Sequence, residues 1–346
     1  MKANVAVLIG SILSIVAITA LATDLKKGTS VARRGDYLIS SATLRPLAAR
    51  GSANAQYNLG LTYYEGRGVS KNYSQALAWF RKAAMQGDMV AQFNLGVMYE
   101  YDQGALKDYA QALKWYQKAA AQGYVNAENN LGAMFRDGLG VQKNYSQATD
   151  WYQRAVAQGD AKAQYNLGVM YEKGWGVQQN YALAFALFSK SAAHGDAGGE
   201  FNLGVMYDRG LGVPQDYIQA SAWYQKAAAQ DYAWAQSNLG LLYVAGHGVL
   251  KDYNQAMVWF RKASEQGDAV AQDSLGVGYY NGQGVPQDVI AAFALIKLAE
   301  SKDRSYSSQL STIRGAMTST QIGAGLALSL KMKSDGVLEA LAENKR

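Results

Sequence analysis

One segment occurs seven times along this chain, and each copy after the first begins 36 residues after the one before it. The first copy reads AQYNLGLTYYEGRGVSKNYSQALAWFRKAA and begins at Ala55; the others begin at Ala91, Ala127, Ala163, Gly199, Ala235 and Ala271. No insertion or deletion interrupts the spacing. A fixed period of this size indicates a solenoid, in which each copy buries its apolar face against its neighbours. The copies should therefore stack one on the next.

Each copy is predicted to contain two helices. In the first copy, apolar residues at helical spacing predict helix A over Ala53 to Glu65. Gly66 follows, and a glycine just past a helix takes the left-handed conformation that satisfies the last carbonyl groups. Helix B begins after Asn72 and ends near Ala84. Asp88 is then the N-cap of the next helix A.

Polar residues mark the start of every helix B. The N-cap position holds Asn72, Asp108, Asn144, Asn180, Asp216, Asp252 and Asp288, whose side-chain oxygens can accept from an unpaired backbone N–H. Five copies carry Gln three residues later, which predicts a capping-box-like pair: Gln75, Gln111, Gln147, Gln219 and Gln255.

A leucine and a glycine stand side by side in every helix A, as Leu59 and Gly60 do in the first copy. A glycine inside a helix costs about 1 kcal/mol relative to alanine, so its recurrence suggests that an aromatic ring lies against the backbone. The predicted rings are Trp79, Trp115, Trp151, Trp223 and Trp259, with Leu187 and Leu295 in the two variant copies.

The consensus AQxNLGxxYxxGxGVxxDYxxAxxWYxKAAxQGDA resembles the Sel1-like repeat, a relative of the tetratricopeptide repeat, over roughly Ala53 to Ser301. The resemblance implies an all-α fold: an α/α right-handed superhelical solenoid of antiparallel helix pairs with a concave inner face. It also implies adaptor work, the binding of proteins or peptides in bacterial envelopes, secretion or host contact.

The ends of the chain are predicted to differ from its middle. Residues 36–52 read as an N-terminal capping helix, 53–302 as seven Sel1-like repeats, and 303–346 as C-terminal capping helices and a tail. Terminal caps with a polar outer face keep a solenoid soluble. Thr318 with Gln321 is a further capping-box candidate, and the stretch from Ser334 is expected to fray.

Residues 1–22 read as a targeting segment, and residues 23–35 as a linker. Lys2 precedes an uncharged apolar run that ends in Ala20-Leu21-Ala22, a signal-peptidase pattern, which predicts a mature chain starting at Thr23 in the periplasm or outside the cell. Lys26 and Lys27 follow the run, and the positive-inside rule would favour keeping them in the cytoplasm. An uncleaved inner-membrane anchor and a cytoplasmic chain are the alternatives.

Composition argues against several kinds of chemistry. The chain has no cysteine, and its two histidines, His194 and His247, are 53 residues apart, so we expect neither a metal site nor a cofactor. The net charge is +6, but the basic residues are dispersed, which disfavours nucleic acid. Some Sel1-like proteins with claimed β-lactam activity are cysteine-rich, unlike this chain. We therefore predict no enzymatic activity.

Gly66-Arg67-Gly68 and its counterparts do not read as phosphate loops. A phosphate cradle follows a strand and usually continues into Lys-Ser or Lys-Thr, whereas this motif follows a helix. In the second copy Asp102-Gln103-Gly104-Ala105 replaces the pattern, and a non-glycine residue there predicts either strain or a different helix end. That segment is either a local irregularity or a recognition loop.

Positions that vary between copies are the candidate partner-binding residues. On helix A they share one stripe, which in a tetratricopeptide-like stack lines the groove. Aromatic and charged residues of both signs suit a protein or peptide partner. The predicted contact residues are Tyr57, Tyr64, Glu65, Phe93, Glu100, Tyr101, Arg136, Tyr165, Glu172, Lys173, Trp175, Phe201 and Arg209. Packing between copies is the alternative role for the aromatic members and for Trp175.

The sequence as a whole predicts an exported, non-catalytic scaffold that holds a protein or peptide in its concave face, in the periplasm or elsewhere in the cell envelope. One alternative is a secreted factor that contacts host proteins. Another is an enzyme acting on cell-wall or β-lactam material, which no serine, histidine and acid arrangement in the sequence supports.

Overall fold

The computed structural model describes residues 37–344, and every regular element in that range is helical. Helix α1 (Tyr37–Ala49) precedes seven helix pairs. The A helices are α2 (Ala53–Glu65), α4 (Met89–Glu100), α6 (Val125–Asp137), α8 (Ala161–Lys173), α10 (Ala197–Arg209), α12 (Ala233–Ala245) and α14 (Ala269–Asn281). The B helices are α3 (Tyr73–Met85), α5 (Tyr109–Ala120), α7 (Tyr145–Ala157), α9 (Tyr181–Ala193), α11 (Tyr217–Ala229), α13 (Tyr253–Glu265) and α15 (Val289–Lys302). The predicted all-α fold of repeated helix pairs is confirmed.

Three more helices follow the last pair: α16 (Ser307–Gly315), α17 (Ser319–Asp335) and α18 (Val337–Glu343), with a 3-10 turn at Arg304–Tyr306. The tail was expected to fray from Ser334, and that expectation is wrong for α18. Its Val337, Ala340 and Leu341 are buried in the last core cluster. The segments predicted as signal and linker, residues 1–22 and 23–35, lie outside the described residues, as do residue 36 and residues 345–346.

The helix caps follow the prediction, with one exception. Asn144 Oδ1 accepts from the N–H of Gln147, and each of the other B helices uses its Asn or Asp in the same way. The Gln side chain, however, does not complete a capping box at these sites. The N–H of Asn144 instead donates to the carbonyl of Phe135 at 2.8 Å, and the equivalent bond recurs in every copy. Among the described helices, only the one after Thr318 has the full reciprocal pair, which Thr318 forms with Gln321.

Two glycines shape the loop in six of the seven copies, and the second copy keeps only the later one, Gly104. Gly66 ends α2 in the left-handed conformation with φ 75°, as predicted. The second glycine of the motif packs on the preceding copy: a Cβ on Gly104 would lie 2.5 Å from the carbonyl carbon of Tyr73. In the second copy Asp102 takes the left-handed position at φ 58°, and α4 is one residue shorter than α2. The substitution therefore changes the helix end and places a non-glycine residue in a sterically unfavourable conformation.

The side chain that faces each helix-A glycine is not the predicted tryptophan or leucine but the residue after it. A Cβ on Gly60 would meet Phe80 Cδ1 at 2.6 Å, and the corresponding partners are Tyr116, Tyr152, Phe188, Tyr224, Phe260 and Ile296. The prediction of tryptophan at this contact, or of Leu187 and Leu295, is wrong. Adjacent helical residues point about 100° apart, so only one of the two can face the glycine.

The tryptophans instead join successive copies. Trp115 contributes to the cluster around Phe80 and Leu95, and Trp151 packs against the next cluster along the chain. A basic side chain three residues later covers the outer face of each ring: Lys82 Nζ lies 4.1 Å from the centre of the Trp79 ring, and Arg154 stands in the same way over Trp151. Such cation–π contacts add to the apolar packing.

The chain divides into two compact units. Of the described residues, one unit comprises residues 37–163 together with Trp175–Val177, and the other comprises Gln164–Gly174 and residues 178–344. The first unit begins with α1, whose Leu44 and Leu47 pack with Leu59. The second ends with α15 to α18 around Phe293 and Leu328. Across residues 37–344, none of the helices combines the length and apolar character that a bilayer span requires.

Candidate functional site

The aromatic residues of the predicted stripe are largely committed to packing. In the first unit, the Tyr57 ring centre lies 5.8 Å from that of Phe80, and Phe93 lies 5.5 Å from Tyr116 and 5.1 Å from Tyr124. Both stripe residues are half-buried. Burial, with smaller contributions from nearby tyrosine and acidic groups, raises the pKa of Tyr57. These rings present only part of their surface to a partner.

The second unit repeats this arrangement. Tyr165 packs at 6.1 Å from Phe188, and Phe201 packs at 5.7 Å from Tyr224 and 5.3 Å from Tyr232. Tyr165 and Phe201 are half-buried like their counterparts. The alternative role, packing within and between copies, therefore applies to all four predicted aromatic residues at this position.

The next stripe position pairs with the helix-B ring. Tyr116 Oη donates to Glu100 Oε2 at 2.6 Å, and Tyr224 Oη donates to Asp208 Oδ2 at 3.2 Å. Where the ring is Phe80, the stripe residue is Tyr64, which packs against that ring and donates to Gln103 Oε1 at 2.8 Å. In these three copies, the residue at this stripe position is therefore a carboxylate where the helix-B ring carries a hydroxyl group and a tyrosine where it does not.

Arg136 and Glu172, the remaining predicted residues at that position, form ion pairs with the residues that follow them. Arg136 Nη2 lies 2.8 Å from Asp137 Oδ2, and Lys173 Nζ lies 2.7 Å from Glu172 Oε1. The hydrogen bonds from Arg136 lower the pKa of Asp137. All of these side chains are at least partly open to solvent, so the pairs carry little stability by themselves.

The last stripe position is the exposed one in both units. In the first unit it holds Glu65 and Tyr101, and the Tyr101 side chain is 61% exposed. The negative charge of Glu100 is the main cause that raises the pKa of Tyr101. In the second unit the position holds Lys173 and Arg209, which are also exposed. These four residues are the predicted contacts that remain most available to a partner.

Trp175 is held against its own unit rather than projecting freely. Its ring stacks on Tyr145 with the ring centres 5.3 Å apart and the planes 11° apart, and it retains 36% exposure. His247 occupies the equivalent loop position of a later copy and stacks on Tyr217 at 4.4 Å. Trp175 therefore takes part in local packing, which was the alternative role named for it.

A buried polar row, which sequence reasoning did not single out, runs through the A helices. Gln56 Nε2 donates to the carbonyl of Ala48 at 3.0 Å, and Gln92, Gln236 and Gln272 make the equivalent bond to the helix that precedes their own. Glu128 and Glu200 replace this amide in two copies. Their carboxylates accept from Gln158 and Gln230 at 2.7 and 2.8 Å. Burial raises the pKa of Glu128 and of Glu200 despite those hydrogen bonds.

A pocket of 230 Å³ in the second unit also escaped the sequence analysis. It lies between α12, α13 and α14 and includes Asp273 and Gly278. The available signal was the departure of both residues from the other copies, which carry mostly aromatic residues at the first position and methionine at the second. Between residues 37 and 344, no three His, Cys, Asp or Glu side chains cluster in a way that would ligate a metal ion.

Comparison with known proteins gives a consistent picture. The family model named Sel1 repeat matches seven segments: residues 53–88, 90–124, 125–160, 161–196, 197–232, 235–268 and 269–303. A Sel1 repeat protein from Oxalobacter formigenes is 33% identical with a TM-score of 0.66, over 69% of this chain and 96% of that one. A search of curated proteins finds no significant match.

Two other solved structures have lower TM-scores. A protective antigen present in uropathogenic Escherichia coli strains is 29% identical with a TM-score of 0.49, over 94% of this chain and 86% of that one. An immunity protein from Pseudomonas aeruginosa is 23% identical with a TM-score of 0.41, over 65% and 81% of the two chains.

The seven matched segments follow one another from residue 53 to residue 303 and together cover more than half of the chain. Each covers one of the helix pairs described above, from α2 and α3 to α14 and α15, with at most the first two residues of a helix left out. The chain belongs to the Sel1 repeat family.

Proposed function

We propose that the protein is a non-catalytic scaffold of the bacterial cell envelope that binds a partner protein or peptide along the exposed residues of its A helices. One observation carries the proposal. The residues that the copies share form the packing contacts, whereas the variable position represented by Tyr101, Lys173 and Arg209 is exposed in each unit. Aromatic and arginine side chains are common anchors of protein interfaces. Sel1 repeat proteins generally bind other proteins, which agrees with this use of the surface.

Affinity capture from an envelope extract tests the binding surface, with a matched control for each unit. Tyr101→Ser is compared with Leu106→Ser, which removes another exposed apolar side chain of the same copy. Lys173→Ser with Arg209→Ser is compared with Lys190→Ser and Arg304→Ser, which remove the same charge elsewhere on the surface. We expect a stripe variant to lower recovery of its partner about tenfold. Unchanged partners in both stripe variants would contradict the proposal.

The envelope location rests on the apolar run and on the Ala20-Leu21-Ala22 pattern. N-terminal sequencing of the protein recovered from periplasmic extract should give Thr23 as the first residue. A chain that keeps Met1 in the inner-membrane fraction would indicate an anchor instead. Recovery from the culture medium would favour the secreted host-contact role.

The absence of catalysis is tested with nitrocefin on the purified protein. We expect no turnover, because no serine, histidine and acid arrangement in the sequence supports hydrolytic catalysis. Turnover that a single point mutation abolishes would overturn this part of the proposal. The captured partner and the enzymatic assay are independent readouts, so each part can fail separately.

A further inference from the structure

The seventh copy departs from the others at two positions of α14. Methionine fills one of these positions in four copies and is almost fully buried each time, as Met98 and Met206 show. The seventh copy has Gly278 there instead. At the other position, where four copies place a half-buried aromatic ring, the seventh copy has Asp273. Two large apolar side chains are thus absent from α14, at positions that line the same pocket.

The missing side chains leave a pocket. Its volume of 230 Å³ is several times the ~30 Å³ that one water molecule occupies in the liquid. A Cβ on Gly278 would lie 2.5 Å from Met257 Sδ, so this thioether occupies part of the space that methionine fills in other copies. The walls are mainly apolar and aromatic: Leu241, Val244, Tyr253, Met257, Phe260 and Val277.

A carboxylate also lines this apolar pocket. Asp273 Oδ1 is shielded from water and makes no hydrogen bond, and Oδ2 accepts only a long bond of 3.4 Å from Gln309 Nε2. Burial raises the pKa of Asp273, and the bond from Gln309 acts in the opposite direction. A desolvated carboxylate is costly unless a cation or several donors stand beside it. No lysine or arginine of the described chain forms an ion pair with Asp273.

We propose that this pocket binds a lysine side chain of the partner segment, with its methylene groups against the apolar walls and its ammonium group beside Asp273. Lysine combines a flexible four-carbon stem with a compact charge, which fits a narrow apolar space containing a single carboxylate. The Tyr253 and Phe260 rings supply further attraction for a cation, and Lys251 already lies 5.0 Å from the centre of the Tyr253 ring. This inference rests on the proposed scaffold function, because the lysine comes from the bound partner.

The methyl group of Met257 provides a direct readout at the pocket wall. The purified protein labelled with ¹³C at its methionine methyl groups is titrated with the peptide acetyl-Gly-Gly-Lys-Gly-Gly-amide, and Met257→Leu assigns the signal. We expect a saturable shift of the Met257 signal with the lysine peptide. Peptides with norleucine or Nε-acetyl-lysine in place of lysine should shift it at least about tenfold more weakly. The protein has a net charge of +6, so general electrostatic attraction does not favour a cationic peptide.

Two variants test the two components of the pocket. Asp273→Asn keeps the shape and removes the charge, whereas Gly278→Leu refills the space with the residue that the sixth copy carries at Leu242. Both should weaken lysine-peptide binding about tenfold or more. Asp150→Asn, on the exposed face of α7, should leave binding unchanged. Thermal unfolding checks that each variant is folded, and Asp273→Asn carries the test if Gly278→Leu does not fold.

Three outcomes would overturn the proposal: no Met257 shift with the lysine peptide, an equal shift with norleucine, or binding that survives Asp273→Asn. A chain that captures its partner through Lys173 and Arg209 but gives any of these results contradicts only the lysine pocket. A chain that binds the peptide yet captures no partner through the stripe contradicts only the proposed binding surface.

Discussion

Gly60 lies in the middle of α2, where an added Cβ would come within 2.6 Å of the buried Phe80 ring. We expect Gly60→Ala to lower the free energy of unfolding by about 1 kcal/mol. Overpacking costs about 1–3 kcal/mol, and the better helix propensity of alanine returns about 1 kcal/mol. Thermal unfolding followed by circular dichroism measures the change.

Gly323 supplies the matched control for this prediction. It also lies inside a helix, α17, but no atom stands within 4 Å of the Cβ that alanine would add. Gly323→Ala should therefore raise the unfolding midpoint through helix propensity alone. A Gly60→Ala variant that is stabilised to the same extent would show that the Phe80 contact does not constrain this position.

Glu128 and Glu200 make stability depend on pH. Burial raises the pKa of each carboxyl above its ordinary value, with Arg154 and the Gln158 bond opposing at Glu128, and Lys226 and the Gln230 bond opposing at Glu200. The nearby charge of Asp196 raises the pKa of Glu200 further. Between the ordinary pKa and the raised pKa, the folded chain holds more protons than the unfolded chain. Stability therefore falls as the pH rises through that window.

Replacing both residues with glutamine should remove this dependence. Gln56 already donates to the carbonyl of Ala48 at the equivalent position, and an amide does not titrate. We expect Glu128→Gln with Glu200→Gln to add about 1 kcal/mol per site near pH 7.5 and less near pH 4. Thermal unfolding at the two pH values measures both effects. Asp150→Asn, an exposed acid, should show no such gain, and a gain independent of pH would contradict the argument.

At the scale of the helix, the start of α7 separates two capping contributions. Asn144 caps the N–H of Gln147, whereas the Gln147 side chain has no reciprocal bond to make, because the Asn144 N–H already donates to Phe135. Asn144→Ala should cost about 1 kcal/mol and Asn144→Asp close to nothing, since four copies use Asp. Gln147→Ala should also change little. Urea unfolding of the three variants tests this. An equal loss of unfolding free energy in Gln147→Ala would show that the Gln147 side chain does contribute to the cap.

Local chemistry determined what could be predicted at this scale. The position of Gly66 after α2 and of Asn72 before α3 followed from backbone needs that adjacent residues alone specify. The choice between Trp79 and Phe80 as the ring over Gly60 did not, because both are apolar and recur with the same spacing. That choice depends on the rotation of one helix against another, which the repeat pattern leaves undetermined.

The candidate site also has features that the sequence predicted and features that it did not. The exposure of Tyr101 and Arg209 followed from their variability and helical position. The packing of Phe93 on Tyr116 and Tyr124 did not, since it joins side chains from different helices. The pocket at Asp273 was equally hidden, because its walls come from three helices of two successive copies.

At the scale of the whole molecule, the constant period predicts that one complete copy can be removed without preventing folding. Deleting residues 91–126 removes one full period and joins Val90 to Ala127, which matches the natural join of Val90 to Ala91. We expect the shortened chain to fold with proportionally lower helical ellipticity and a cooperative thermal transition, because each copy contacts mainly its neighbours. Deleting residues 91–108 instead removes most of α4 with the loop that follows it, leaves α5 without its partner helix, and should abolish the cooperative transition. If both deletions behave alike, the period is not the folding unit.

The second glycine of each loop has a consequence for how the number of copies can change during evolution. Gly104 of the second copy lies against the backbone of Tyr73 in the first copy, and the same contact joins each later copy to the one before it. A gene that gains or loses whole 36-residue units through unequal recombination therefore encodes a chain in which each new junction between copies already has this glycine contact. Variation in the number of copies between related genes requires no compensating mutation at the new junction. Binding surface can be lengthened or shortened in a single genetic event, and the exposed residues of each copy can then diverge separately.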